Sequence, residues 1–382
     1  MKSNETAHVY VHMPFCDGKC LYCAFYSELY TSERADRFLD CLAIEFDRAW
    51  NAGSRPAPET IYFGGGTTSV LDAPQLRRLC DIVRSRTDAR QLKEWTIEAN
   101  PGGLTERQIG LLVETGVNRL SLGVQSFDDD VLKAMGRRHT SGDVEQTVRL
   151  ARKGGLDNIG MDLIAGLPGV YEKAWRETLR RTAGLHPAHV SVYALSIEDG
   201  SHMGRLSRTG AITVPDDDAQ AHALAYAESF LGEAGYGRYE ISNYALPGRE
   251  CLHNSACWQG EDYRGFGPAA ASRAGRRRWT NRPDIGLYLA ALSAGEDPPG
   301  DADTLDAESD AAERLVFAFR LADGVDVRRY GAGFDTLRAA WEKALAKLAG
   351  IGLVERQGQR WTLTARGRGL ADFVAYELLN AE

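Results

Sequence analysis

Short β-branched and aromatic runs alternate with amphipathic helical stretches along the first two-thirds of the chain, and this alternation limits the fold more than any other feature. The strand-like runs are Ala7 to Val11, Thr60 to Phe63, Trp95 to Ala99, Arg119 to Val124, Asn158 to Ile164 and His189 to Leu195. Between them, apolar residues recur at helical spacing over Arg34 to Trp50, Pro74 to Ser85, Glu106 to Glu114, Asp143 to Lys153 and Glu172 to Ala183. Such a series predicts a parallel sheet covered by helices, and consecutive right-handed units curl into a full or partial barrel. The expected fold class is therefore α/β, a partial (β/α)6 TIM-like barrel, with its chemistry at the carboxyl-terminal rim.

At 382 residues, 43% hydrophobic and 26% charged, the chain has room for a large domain and a small one. From Glu296 to Asp310 seven acidic residues surround Pro298-Pro299-Gly300 without a lysine or arginine, which reads as an exposed linker over residues 296–310. Beyond it, Leu337 to Leu348 has helical spacing, and Gly352 to Arg356 followed by Gln359 to Thr364 reads as a hairpin. Together these predict a small winged-helix-like domain over residues 311–382. A net charge of −8 argues against a nucleic-acid partner. No apolar stretch approaches the eighteen or so residues of a membrane span. Met1 to Val11 lacks the apolar region of a secretory signal, which places the protein in a reducing cytoplasm.

Against that background the string Cys16-Asp17-Gly18-Lys19-Cys20-Leu21-Tyr22-Cys23 stands out, just past the first predicted strand. Three thiolates on one short loop can wrap one corner of a [4Fe–4S] cube and leave one iron open. Structural zinc normally takes four ligands in two paired clusters, and the chain has no second CxxC. Cys251-x-His253-x3-Cys257 likewise lacks a fourth zinc ligand. Cys41 and Cys80 fall within amphipathic helical patterns and read as small core residues.

Other motifs follow the predicted strands. Gly64-Gly65-Gly66-Thr67 lets backbone approach a ligand closely. Glu98-Ala99-Asn100-Pro101 and Gly123-Val124-Gln125-Ser126-Phe127 set polar groups where a small ligand's hydroxyls and amines can be read. Asp162 interrupts an apolar run and needs a partner or exposure at the rim. Arg137 can pair with a ligand carboxylate.

In this order, from Tyr10-x-His12-x-Pro14-Phe15-Cys16 through Asp162-Leu163-Ile164-x-Gly166-Leu167-Pro168, the motifs closely resemble the radical S-adenosylmethionine (SAM) superfamily. Within it, the likeness is to the group around oxygen-independent coproporphyrinogen III oxidase, and it spans nearly the whole chain. The resemblance implies a barrel of the radical SAM type with a family-specific extension over residues 1–295. It implies a [4Fe–4S] cluster held by Cys16, Cys20 and Cys23, whose open iron is chelated by the amino and carboxylate groups of SAM. Reduction of such a cluster breaks a carbon–sulfur bond of SAM and releases a 5′-deoxyadenosyl radical, so an electron donor is implied if the cluster is reduced. Carried over by position, Gly64, Gly65, Gly66 and Thr67 contact the methionine moiety. Tyr10, Tyr22, Glu98, Gln125, Arg137 and Asp162 match the remaining SAM-contacting positions.

Two departures choose the branch. The oxidase has a fourth cysteine two residues after the third, where this chain has Phe25, and it has a longer N-terminal extension. Phe25 resembles instead the branch of heme chaperones, which bind heme and hand it to acceptor apo-proteins. Glu240 to Gly248 followed by Cys251-x-His253-Asn254 supports that branch, although Cys257 replaces the tyrosine of its tyrosine–tryptophan pair. The function so implied is a SAM-binding [4Fe–4S] heme chaperone, with His253 as the expected axial heme ligand and Cys257 as a second choice. The alternative is a radical enzyme that decarboxylates coproporphyrinogen III or transfers a methyl group. A DNA-binding role for the C-terminal domain has least support.

Overall fold

The computed structural model describes residues 7–50, 55–198 and 201–381. Six parallel strands lie side by side in chain order: β1 (His8–Met13), β2 (Thr60–Gly65), β3 (Glu94–Ala99), β4 (Arg119–Gln125), β5 (Ile159–Ala165) and β6 (His189–Ala194). The connecting helices are α1 (Ser32–Ala49), α2 (Ala73–Arg86), α3 (Glu106–Thr115), α4 (Ser141–Lys153) and α5 (Glu172–Gly184), followed after β6 by α6 (Asp217–Glu233). Every predicted strand and helix is present, with ends shifted by one or two residues. Helices α2, α3 and α4 start at reciprocal capping boxes, Asp72 with Gln75, Thr105 with Gln108 and Thr140 with Asp143, which satisfy their first free amides.

The barrel does not close. Beyond β6 runs antiparallel β7 (Asn243–Ala245), and the free side of β1 continues into β8 (Tyr263–Phe266), β9 (Ala271–Ala274), β10 (Arg277–Asn281) and β11 (Gly300–Thr304). Helix α7 (Leu252–Trp258) precedes β8.

Each barrel strand alternates in character. Val9, Val11, Ile61, Phe63, Trp95, Ile97, Leu120, Leu122, Met161, Leu163, Val190 and Val192 are buried in the main apolar core. The intervening positions are polar or glycine: His8, Tyr10, Thr60, Tyr62, Glu94, Thr96, Glu98, Arg119, Ser121, Gly123, Gly160, Asp162, His189 and Ser191. Because strand side chains alternate with period two, the apolar set fastens the helices and the polar set meets inside the barrel. A polar interior so dense is tolerable only if its groups bond one another, as Glu98 does with Tyr62, Asp162 with Ser121 and Ser191, and Thr60 with His8.

Residues 296–310 correct one expectation. The segment is not a linker, since 300–304 form the edge strand β11 and α8 (Ala307–Ala318) starts within it. Its acids answer arginines on β9 and β10. Asp303 pairs with Arg278 at 3.1 Å, and Asp310 with the buried Arg273. Exposed acids on an outer strand also deter pairing with a second sheet. The C-terminal core joins α8, α9 (Asp335–Gly350), the hairpin β12 (Val354–Gln357) and β13 (Arg360–Leu363), and α10 (Ala371–Leu379). Among the described residues, no helix is long and apolar enough to cross a membrane.

Candidate functional site at the barrel rim

A cavity of about 900 Å3 opens at the carboxyl ends of the strands, lined by residues of β1 to β6 and the loops that follow them. Cys16, Cys20, Cys23, Tyr10, Tyr22, Gly65, Gly66, Thr67, Glu98, Gln125, Arg137 and Asp162 all line it. Gly64 lies just beneath, packed so closely that a side chain there would meet the Glu98 carboxyl carbon at 2.9 Å.

The cysteine loop is held on several sides. Phe15–Cys16 pairs with Glu28–Leu29, closing the loop at its base. Leu21 donates its amide to the Met135 carbonyl at 3.1 Å, and its own carbonyl accepts from Met203 at 2.9 Å. Thr67 Oγ1 lies 3.4 Å from Cys16 Sγ, and Arg137 Nη1 donates to Cys20 Sγ at 3.6 Å. All three thiols are half-buried and reach the cavity. Burial raises the Cys23 thiol, with Lys19 opposing. The residues fit a cubane cluster. Among the described residues no three His, Cys, Asp or Glu side chains close around a single point, and a cube does not require it, because each thiolate meets its own iron.

The glycine loop lies directly beside the cysteines. Gly66 and Thr67 donate their amides to the Met13 and Phe15 carbonyls at 2.7 Å each. Gly65 has φ +98°, a left-handed conformation that suits glycine, and presents its amide to Glu98 Oε2 at 3.1 Å. The missing side chains let this backbone pack directly against Tyr62, Glu98, the His12 ring and the Phe15 and Met13 carbonyls at the cavity wall.

Glu98 and Asp162 face the cavity from β3 and β5. Tyr62 donates to Glu98 Oε1 at 2.7 Å. Ser191 and Ser121 donate to Asp162 at 2.6 and 3.2 Å. Burial raises the Glu98 carboxyl from 4.5 to about 7 against the Tyr62 hydrogen bond, and burial also raises Asp162. These acids suit a cationic or hydroxyl-bearing ligand. Arg137 donates to Asn100 Oδ1 at 2.8 Å and to the Gly123 carbonyl at 2.5 Å. Although burial alone would lower it, Tyr22 and Cys20 hold Arg137 above its ordinary value, so it stays a cation beside the cysteines. Gln125 sits at φ 65° where the β4–β5 register slips, and the bulge turns its side chain into the site.

Glu98 makes stability pH-dependent in a stated direction. Its folded pKa of about 7 exceeds the ordinary 4.5, so the native chain keeps a proton that the unfolded chain has lost, and stability falls as pH rises through that window. Glu98→Gln removes this contribution to the slope. Denaturant unfolding of the ligand-free proteins is expected to show equal stability near about pH 5 and a variant more stable by on the order of 2–3 kcal/mol near about pH 8. Parallel pH curves would contradict this assignment.

His253 corrects a second expectation. It lies on α7 at the opposite, amino-terminal end of the barrel, 5% exposed, and does not reach the rim cavity. Glu94 fixes α7 there by accepting the amides of Leu252 and His253 at 3.0 and 3.2 Å. The His253 ring bonds Thr60 Oγ1 through Nδ1 at 2.7 Å and lies against Tyr10 and Tyr62, centroids 6.3 and 5.1 Å away. Burial and the neighbouring His8 lower it to about 3, so it is a neutral floor residue rather than an accessible ligand. Cys257 is on the same helix, outside the cavity, and burial raises its thiol to about 12.

Several cavity residues escaped the sequence reading: Ser121 and Tyr193 line the cavity, while Tyr62 and Ser191 hold its acids. The signal available was the polar set at every second strand position.

Comparison with known proteins agrees with this geometry. The model of the Radical SAM superfamily matches residues 10–182, and that of the HemN C-terminal domain matches residues 305–370. "Heme chaperone HemW" of Lactococcus lactis is 34% identical over 371 residues, 97% of this chain and 96% of that protein. HemW of Bacillus subtilis is 32% identical over 367 residues, 96% and 97% of the two chains. That of Mycobacterium tuberculosis is 35% identical over 376 residues, 97% and 94%. The solved structure of coproporphyrinogen III oxidase (HemN) from Escherichia coli, described as a radical SAM enzyme, superposes with a TM-score of 0.85 at 24% identity, covering 98% of this chain and 91% of that one, and shares its fold. With the superfamily model seated on the cysteine loop and rim strands, and relatives a third identical from end to end, the chain belongs to the HemW family of the radical SAM superfamily.

Proposed function

We propose that this protein is a SAM-binding [4Fe–4S] heme chaperone of the cytoplasm, which binds heme and delivers it to acceptor hemoproteins. The observation that carries the cofactor part is the convergence of three half-buried thiols, a glycine-lined backbone shelf and two raised carboxyls on one cavity. Cys16, Cys20 and Cys23 would hold the cluster. When bound, a cluster with an open iron supplies a chelation site for SAM and, once reduced by an electron donor, the electron that cleaves it.

The chain's own groups do the placing. Arg137, charged and already beside Cys20, pairs with the SAM carboxylate. The Gly64 to Thr67 shelf and Glu98 accept hydrogen bonds from its amino group, and Asp162 or Gln125 holds ribose hydroxyls. Tyr22 closes one side of the cavity and Tyr10 its floor. The heme part rests on the curated relatives, which are named heme chaperones along their full length.

The test is carriage. Anaerobically reconstituted protein loaded with one equivalent of hemin is expected to show a stable Soret band and to convert an apo-cytochrome to its holo form. A protein that binds SAM but leaves hemin free in solution would contradict the proposal.

A further inference from the structure

Phe25, at the position that selects the family branch, is 69% exposed at the lip of the rim cavity. That exposure is built in. The neighbouring Tyr26 is tied down at both its ends, its carbonyl bonded to His12 Nε2 at 2.9 Å and its hydroxyl to the Ile285 amide at 2.7 Å and to Glu28 at 2.9 Å. Lys19 Nζ donates to the Phe25 carbonyl and to Ser27 Oγ. These contacts hold the backbone at and just after Phe25, and the Phe25 ring itself stands in solvent at the cavity lip. Tyr193, 42% exposed, and Leu195 line the same cavity from β6 and the loop after it.

A cation stands at the same lip. Arg138 has a side chain 70% exposed and meets Asp17 only at 4.0 Å, so its guanidinium is open to a better partner. The other carboxylates lining the cavity are engaged elsewhere: Asp143 accepts from the Thr140 amide at 2.7 Å, and Glu198 from Ser196 at 2.9 Å. An exposed aromatic ring and a weakly paired guanidinium lining one cavity suit a flat apolar ligand that carries carboxylates on its edge.

We propose that this lip is the heme-holding surface, with the Phe25 ring lying on the porphyrin face and Arg138 pairing with a propionate. The proposal deepens the heme-carrier reading and rests on it. It sets heme above the cluster and SAM, at the opposite end of the barrel from His253. Covering an exposed phenylalanine by a flat ring contributes through apolar burial and stacking, and the guanidinium adds a charge-assisted pair in a partly screened position.

The experiment titrates hemin and hemin dimethyl ester into full-length, cluster-loaded protein by Soret absorbance. The set is wild type, Phe25→Ala, Arg138→Glu and, as a control for unspecific adsorption, Tyr171→Ala, an aromatic residue 80% exposed elsewhere. Phe25→Ala is expected to weaken both ligands about tenfold. Arg138→Glu is expected to weaken hemin about five- to tenfold and the ester by less than about twofold, and Tyr171→Ala to change neither. Iron content and circular dichroism check that each variant is loaded and folded. Arg138 is exposed enough that its variant decides the matter even if Phe25→Ala does not load. Wild type that binds hemin with both lip variants unchanged would overturn the lip alone; wild type that fails to bind hemin would overturn the carrier reading together with it.

Discussion

Cys20→Ala protein purified without oxygen is expected to hold less than about one iron per chain where wild type holds about four, and to lose SAM binding with the cluster. The magnitude follows from the lack of a substitute ligand. Cys41, Cys80 and Cys251 are buried at 4%, 0% and 0% exposure, and Cys257 sits on α7 outside the cavity. The position two residues past Cys23 is Phe25, which offers no donor. The same loss is expected for Cys16→Ala and Cys23→Ala, with the apo-fold intact because loop and barrel are joined by backbone hydrogen bonds that no thiol makes. Thermal unfolding should therefore drop toward the ligand-free value rather than collapse, since only the bound-state contribution is removed. Variants that keep a full cluster and SAM affinity would show that these thiols are not its ligands.

Gly66→Ala is the second large effect expected. A methyl at Gly66 would lie 2.5 Å from the Phe15 carbonyl oxygen and 2.6 Å from that of Met13. Both are backbone atoms, and both accept hydrogen bonds from the glycine loop itself, so neither side can yield alone. Relief requires pushing the cysteine strand and the glycine shelf apart, at a cost of about 1–3 kcal/mol in stability. SAM affinity should fall by more than about tenfold, because the displaced shelf sits next to Cys16. Gly110→Ala is the contrast, with nothing within 4 Å of the added methyl on the exposed face of α3. It should be neutral or stabilising by about 0.5–1 kcal/mol, from helix propensity. Denaturant unfolding and equilibrium SAM binding on the two variants read both effects; equal behaviour would remove the case for a tight shelf.

What could be read in the sequence was what lies close together in it. The cysteine loop, the glycine shelf and the strand-end acids are local strings, and the barrel orders them by repeating one unit. The misread features depend on partners far along the chain. The acids of residues 296–310 read as a linker because the arginines they neutralise lie on β9 and β10, and only the sheet brings them together. His253 read as a ligand because the local string Cys251-x-His253-Asn254 resembled the branch signature and imidazole commonly binds heme iron. Its actual partner is Thr60, 193 residues away, and the cap from Glu94 that fixes α7 beneath the barrel is almost as remote. Ser121, Ser191 and Tyr62 are ordinary strand residues in isolation. They gain their role once the register lays Gly123 against Asp162 and Asp162 against Ser191, so that the Ser121 and Ser191 hydroxyls converge on the Asp162 carboxyl while Tyr62 bonds Glu98 from the neighbouring strand. The polar alternation along each strand was visible beforehand, and it is the cue by which a ligand-filled interior differs from one packed with aliphatic side chains.

On the function proposed above, the rim site binds its cofactors in the service of carrying heme rather than of decarboxylating a porphyrinogen. The chain shares its fold with coproporphyrinogen III oxidase, and decarboxylation of a porphyrinogen is the rival activity that its sequence motifs imply. The decisive measurement is therefore anaerobic incubation of cluster-loaded, reduced protein with SAM and coproporphyrinogen III, following porphyrinogen products and 5′-deoxyadenosine, beside a parallel hemin titration. Stoichiometric hemin binding with no decarboxylated product is the predicted result. Steady decarboxylation accompanied by 5′-deoxyadenosine would contradict it.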